Sequence, residues 1–540
     1  MSNRQHNKET SLTTRLVCAL VASIVTMGVS AQTAAKRPSL VVGIMVEGLN
    51  EDYIELLKHR FGDNGFKLLL NRGVLLENVE FGHGIDPTAA TAMIMTGTTP
   101  SVNGIVGSTV YDINTKRAVP TLRDTKYVGN FTNENYSPAG LLVSTLADEV
   151  RISEDGIGMV YSIAPEPQHA VILAAHAGNS GVWINDVDGK WSTTTFYKDL
   201  PGVVSKRNYS MPLSTRLDTL AWRPSLPLEK YADLPEHKKL YPFTNRFPRN
   251  ERDRYRMFKA SATVNTEVTD LAIEYIKSAK MGSRGMTDML NLSYTVTPYP
   301  YSRDADNRID TQDAYIKLDS SLDKLFKTIQ SGPGLDNTVI FVAGIPSSPS
   351  AKRDDIKWNI PHGEFSPRKA ISLLNMYLIA IHGNGDWVSG YHANHFYLNE
   401  KLIKDRGIDL HALRSEAADF IGRMSGVSRV YTIDDIISGR IDEADKSLRR
   451  NTSLVHSGDI VVTIAPGWEI VEDDSLNGSN SNGQVSRLAA QTSPVFIVAP
   501  GVPAQTISTP VDACVIAPTV ARILRIRSPN AAALPPLRLR

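Results

Sequence analysis

The chain has 540 residues, 42% of them hydrophobic and 21% charged, so it can bury a large core and is neither a disordered segment nor a minimal domain. Its 58 Lys and Arg against 57 Asp and Glu leave a net charge of +1, which removes the electrostatic case for nucleic acid or an acidic surface as partner. Two cysteines, Cys18 and Cys514, exclude a disulfide-stapled scaffold.

Arg4, Lys8 and Arg15 precede the apolar run from Leu16 to Gly28, and small residues follow up to Ala31. This order predicts a secretory signal peptide over residues 1–31, cleaved before Gln32, with 32–38 as a linker. The run is shorter than the ~20 residues that a membrane span needs, so no transmembrane span is expected after cleavage. Cleavage removes Cys18 and leaves Cys514 alone and buried, with no intrachain disulfide to form.

Leu40-Val-Val-Gly-Ile-Met-Val-Glu47 reads as a buried parallel strand that carries Glu47 to its C-terminal edge, where open α/β sheets place their sites. Further strands are predicted at 159–163, 288–294, 338–342, 460–464 and 494–498, and helices at 52–72, 139–150, 263–278, 310–329 and 366–381. Such alternation predicts an α/β fold around a mostly parallel sheet. Between 183 and 265 the Pro, Tyr, Arg and Lys content rises and periodicity fades, which predicts an insertion over the ligand edge of that sheet. A second departure, over 383–437, holds a short strand at 396–398 and a helix at 411–424. The polar stretch 472–483 predicts a flexible loop, and the arginines from Arg522 to Arg540 a solvated tail. No P-loop, metalloprotease His pair or nucleophile elbow occurs.

Two segments carry a more specific signal: Asp86-Pro-Thr-Ala-Ala-Thr-Ala-Met-Ile-Met-Thr-Gly97 and Thr99-Pro-Ser-Val-Asn-Gly-Ile-Val-Gly-Ser-Thr-Val-Tyr-Asp112. With the Glu47 strand, Asn375-Met-Tyr-Leu378, Ala465-Pro-Gly-Trp468 and Ile516-Ala-Pro-Thr-Val-Ala521, the chain resembles the alkaline phosphatase superfamily. Within it, the resemblance is greatest to the phosphate-irrepressible alkaline phosphatase and nucleotide pyrophosphatase/phosphodiesterase branch. The resemblance runs from Ser39 to the C-terminus. It implies an alkaline phosphatase-like three-layer sandwich over 39–540, with a mostly parallel central sheet, inserted cap regions and a cap-type subdomain at 383–437. It also implies phosphate-ester hydrolysis with two zinc ions.

Two divalent cations about 4 Å apart repel by roughly 17 kcal/mol at an effective dielectric of ~20, so carboxylates and histidines must surround them. Glu47 takes the place of the family's strand-end Asp and is the one carboxylate left to touch a metal. Within Ser293-Tyr-Thr-Val-Thr-Pro-Tyr-Pro-Tyr-Ser302, Pro298 and Ser302 replace an Asp and a His ligand. In Ala343-Gly-Ile-Pro-Ser347, Ile345 and Pro346 replace the next Asp-His pair. The late His loop falls within Ser481-Asn-Gly-Gln-Val-Ser486, which has no His in any register.

The family's nucleophile falls on Pro87, or on Thr88 if one loop residue is deleted. Thr88 also reads as a hydroxyl cap for a helix beginning at Ala89. The phosphate-binding Asn matches Ser108, and the Lys-x-Arg pair matches Glu166 and Gln168. A carboxylate at 166 repels the dianion that the Lys attracts. His176 matches a framework His, His83 lies near the nucleophile loop within range of Glu47, and His392 with His395 could hold a metal only with further ligands.

These replacements predict an exported, catalytically degenerate relative with a binding or scaffolding role in the cell envelope. No bound cofactor is expected, and the partner is an envelope protein or a small ligand. The competing expectation is an active metal-dependent phosphatase or phosphodiesterase whose metals are held by relocated ligands.

Overall fold

The computed structural model describes residues 37–234, 242–302, 307–347, 363–442, 445–471, 484–485 and 491–539. The signal segment 1–31, and all but two residues of 472–490, lie outside the described residues.

The central sheet contains β1 (Leu40–Glu47), β2 (Val74–Gly82), β3 (Val160–Ile163), β4 (Ser180–Ile184), β5 (Trp191–Thr194), β6 (Asp288–Thr295), β7 (Thr338–Ile345) and β8 (Gln491–Val498). Across the sheet the order is β2-β8-β7-β1-β6-β3-β4-β5, with short strands pairing at both edges. β1 pairs in parallel with β6 and β7, β6 with β3, and β3 with β4. β8 runs antiparallel to both β7 and β2, and β5 antiparallel to β4.

Alternation along β1 makes the three layers. Leu40, Val42, Ile44 and Val46 face one core, with helices Thr263–Ser278 and Arg308–Ser331 packed above them. Val41 and Met45 face the other, under helices Pro87–Thr96, Pro167–Ala174 and Ile516–Leu524. Gly43 interrupts the run because a side chain there would collide with the Phe341 ring of β7. Each fully buried aliphatic side chain contributes roughly 1.5–3 kcal/mol of transfer free energy, which explains why this strand tolerates so few polar residues.

Several expectations are corrected. The helix expected at 52–72 is two helices, Glu51–Leu57 and Phe66–Arg72, because Asp319 accepts the amides of Gly62 and Phe66 at 2.7 and 2.8 Å and breaks the run. The helix expected at 139–150 lies at Leu146–Ser153, started by a capping box between Thr145 and Asp148. The insertion expected from Trp183 begins later, since Trp183 and Ile184 end β4 and β5 follows. The strand Ile460–Ile464 belongs to a second sheet, not the central one.

That second sheet is the cap. Its strands run in the order Val388–His392, His395–Leu398, Ile460–Ile464, Val427–Thr432, all antiparallel. Helices Pro367–His382 and Leu410–Ile421 cover it, and Leu374, Leu378, Trp387, Phe396 and Leu413 form its own core. The subdomain expected at 383–437 therefore extends from about Gly363 to Ile470.

The cap grips the site rim on two sides. The hairpin Thr109–Asp112 and Arg117–Pro120 reaches it through Tyr111, whose hydroxyl donates to the Ser389 carbonyl at 2.6 Å, and through a 2.7 Å Lys116–Asp386 ion pair. On the other side Asn451 Nδ2 donates to the His83 carbonyl at 3.0 Å.

Candidate functional site

The ends of β1, β6 and β7 form the floor. Glu47 pairs in register with Thr295 on one side and Ile345 on the other. Its own carbonyl accepts the Val296 amide, and Gly48 donates to the Ile345 carbonyl, both at 2.9 Å. No hydrogen bond or ion pair reaches the Glu47 carboxyl among the described residues. Burial, and then the negative charges of Asp86 and Glu166, push its pKa up to about 7.

The wall is helix α1 (Pro87–Thr96). Asp86 caps it, accepting the Thr88 amide at 2.7 Å, and Pro87 fills the first helical position. This corrects the reading of Thr88 as the cap: Thr88 lies inside the first turn and is buried, with 4% exposure. Asp86 also accepts the Ser108 hydroxyl at 3.2 Å. Gln168 donates to the Ser108 carbonyl and accepts the Leu122 amide, the latter at 3.3 Å. Asp86, the Thr88 amide, Ser108 and Gln168 are thus linked in one hydrogen-bonded chain. Their polar groups bond mainly to one another.

Helix α2 (Pro167–Ala174) brings Glu166 and His169 to the same edge. His169 Nδ1 lies 3.4 Å from the Ser293 hydroxyl, and burial lowers its pKa against the opposing pull of Glu166 and Asp86. Glu166 heads the helix without capping it, and its two oxygens each lie 3.0 Å from Lys259 Nζ. Lys259 is the one lysine buried among the described residues, and it also reaches Asp186 at 2.5 Å. Burial alone would lower the Lys259 pKa, but Glu166 and Asp186 outweigh it and raise it. Asp186 in turn is held by Arg256 at 2.9 Å.

The other positions that the resemblance implies as ligands do not supply donors among the described residues. Ile345 is 1% exposed beside Glu47, and Pro346 follows it in the buried strand end. Pro298 and Ser302 leave the floor on a loop whose Tyr299 packs edge-on against Trp222 of the insertion, 5.4 Å between ring centres. His392 and His395 face each other across a hairpin, but His392 Nε2 is bonded to Thr109 Oγ1 at 3.1 Å, and His395 Nδ1 accepts the Gly458 amide at 3.2 Å. His176 is a framework residue, joined to Asp148 at 3.0 Å and to the Leu141 carbonyl at 2.9 Å. Of the loop at 481–486, only Gln484 and Val485 are described, and only as a strand.

The described residues of this edge do not by themselves supply the ligands of two zinc ions. Among the described residues no three His, Cys, Asp or Glu side chains gather in a metal-binding group. Among the described residues Glu47, Asp86 and Glu166 are the carboxylates of this edge, with no histidine set beside them to offset a pair repulsion of roughly 17 kcal/mol.

Lys259, Asp186 and His169 were not singled out from the sequence. Lys259 and Asp186 lie in or beside the insertion, where no motif marks them, and only burial reveals their role. His169 sits three residues after Glu166 and was within reach of a helical reading.

The sequence profile of type I phosphodiesterase / nucleotide pyrophosphatase matches residues 41–487. The chain belongs to that family. Alkaline phosphatase PhoV of Synechococcus elongatus is 25% identical over 520 residues, covering 92% of each chain. Alkaline phosphatase PafA of Elizabethkingia meningoseptica is 25% identical over 531 residues, covering 95% of this chain and 96% of its own. The crystal structure of PafA superposes with a TM-score of 0.79 at 24% identity, over 93% of this chain and 99% of that one. The type I phosphodiesterase fold, an alkaline phosphatase-like α/β sandwich with a mostly parallel central sheet, is therefore the fold of this chain. Its family is one of phosphoric ester hydrolases.

Proposed function

We propose that this chain is a catalytically degenerate member of its family, exported to the periplasm or cell envelope, with a cleft that binds a protein or small ligand without hydrolysing an ester. The observation that carries the reading is Ile345 in register with Glu47, an aliphatic side chain beside the one carboxylate left on the floor. Supporting it, Glu166 puts a negative charge where a phosphate dianion would have to bind. Asp86 is committed to capping α1 and holding Ser108, so it is not a free base for Thr88. The apolar segment before Ala31 supports export, and among the described residues no helix is long and apolar enough to cross a membrane.

The test is elemental analysis of purified protein together with phosphomonoesterase and phosphodiesterase assays. The expected result is substoichiometric zinc and no turnover beyond that of Glu47→Ala. Stoichiometric zinc with turnover abolished by Glu47→Ala overturns the reading. Amino-terminal sequencing of the mature protein should begin at Gln32.

A further inference from the structure

Between Ala370 and Ile381 the cap helix Pro367–His382 is apolar nearly all round, its strongly polar side chains being Ser372 and Asn375. Helices of that kind are covered on every side. The cap core takes one stripe, Ala370, Leu374 and Leu378, all buried. On the opposite face Leu373 is 49% exposed and Met376 65%, with exposed Ala380 one turn further on. Tyr377 flanks this ridge and stacks on Phe420 of the helix Leu410–Ile421, ring centres 4.2 Å apart. The ridge is an outward apolar face that nothing among the described residues covers.

Charges of opposite sign bound the ridge. Lys369 at its start and Asp419 beside Phe420 are both exposed, and neither has an ion-pair partner among the described residues. Because Tyr377 lies level with Phe420, Lys369 and Asp419 stand about 12 Å apart along the helix axis, at ~1.5 Å per residue. A two-fold axis at the level of Leu373 lays two such helices antiparallel, apolar face on apolar face. It also brings Lys369 of each copy to Asp419 of the other, so the surface is complementary to itself. We propose that this ridge is the two-fold contact of a homodimer, closed by Leu373 and Met376 and set in register by Lys369 and Asp419. The mixture of signs matches a second copy better than an anionic lipid surface, which takes helices whose polar face is rich in Lys and Arg. The contact is independent of whether the cleft hydrolyses esters.

Sedimentation equilibrium of the full mature chain tests it. The wild type should sediment at twice the chain mass at about 50 µM, and Met376→Lys should weaken the dimer at least about tenfold. Lys369→Glu and Asp419→Lys should each weaken it by a similar factor, since each places like charges opposite one another at both ends of the contact. Mixed in equal amounts, the two single variants should recover wild-type association, because their heterodimer has opposite charges at both ends. Misfolding of either variant cannot produce that recovery. A wild type that stays monomeric up to about 200 µM overturns the proposal, and cosedimentation of that monomer with anionic phospholipid vesicles would assign the ridge to a membrane instead. A dimer unaffected by Met376→Lys also overturns it, as does a mixture that associates no better than either single variant alone.

Discussion

Ile345 stands beside Glu47 in the register of two parallel strands, and the next amide after Glu47 donates to the Ile345 carbonyl at 2.9 Å. The backbone therefore holds an aliphatic side chain against a carboxyl that no described residue neutralises. A carboxyl so placed favours its protonated form, and the consequences can be measured.

Because the folded-state pKa of Glu47 is raised to about 7, its ionisation opposes folding. Below the unfolded pKa both states are protonated and nothing is lost. As pH rises from there through about 7, stability falls, by on the order of 2 kcal/mol once solvent contact is allowed for. Glu47→Gln should remove this slope. Urea denaturation of both proteins at about pH 5 and about pH 8 checks it, and parallel pH dependence in the two would contradict it.

Glu267 anchors the insertion to helix Thr263–Ser278. It receives Arg207 at two oxygens, both at 2.8 Å, as well as Arg216 at 2.6 Å and the Trp191 indole at 3.0 Å. Burial would raise its pKa, but the two guanidinium groups outweigh burial and bring it down to about 2. Its contribution is present above the ordinary carboxylate pKa and is lost as pH falls toward about 2. Glu267→Gln leaves the buried Arg207 with Glu274 as its close carboxylate, and should cost toward the lower end of roughly 3–5 kcal/mol, read as a lowered denaturant midpoint.

Gly390 of the cap has no side chain because the Tyr111 hydroxyl occupies the space a Cβ would take. Gly390→Ala should push the hairpin off the cap and cost about 1–3 kcal/mol by overpacking. Hydrogen exchange should then rise across 109–120 and 388–398. Tyr111→Phe, which loses only the 2.6 Å bond to Ser389, should cost about 1 kcal/mol and leave that pattern unchanged.

Asp86→Ala removes the cap of α1 and the acceptor of the Ser108 hydroxyl together. A loss of about 1–2 kcal/mol is expected from denaturation curves. Asp86→Asn keeps a capping oxygen and should recover most of it. Equal losses for the two variants would place the effect outside the cap.

Much of the fold was legible before the structure. The helix Thr263–Ser278 matches its expected bounds, and β1 and β7 were marked by apolar runs that a sheet covered on both faces accommodates, with β6 marked by a more broken one. β2, β4 and β5 were missed. Polar Glu77 and Asn78 interrupt β2 at a register shift, and β4 and β5 are short strands lost in the compositional change at Trp183. Assigning Ile460–Ile464 to the cap was beyond a periodicity argument, since a buried run does not state which sheet it joins.

By itself the sequence determined which side chains lack donors, because an Ile or a Pro cannot coordinate a cation in any conformation. It equally determined that position 166 carries a carboxylate. Only the tertiary structure decided that Ile345 touches the Glu47 position and that Lys259, 93 residues from Glu166, supplies the opposing charge. Chemistry belongs to each residue alone, whereas proximity arises when parallel strands and an inserted helix are packed into one edge.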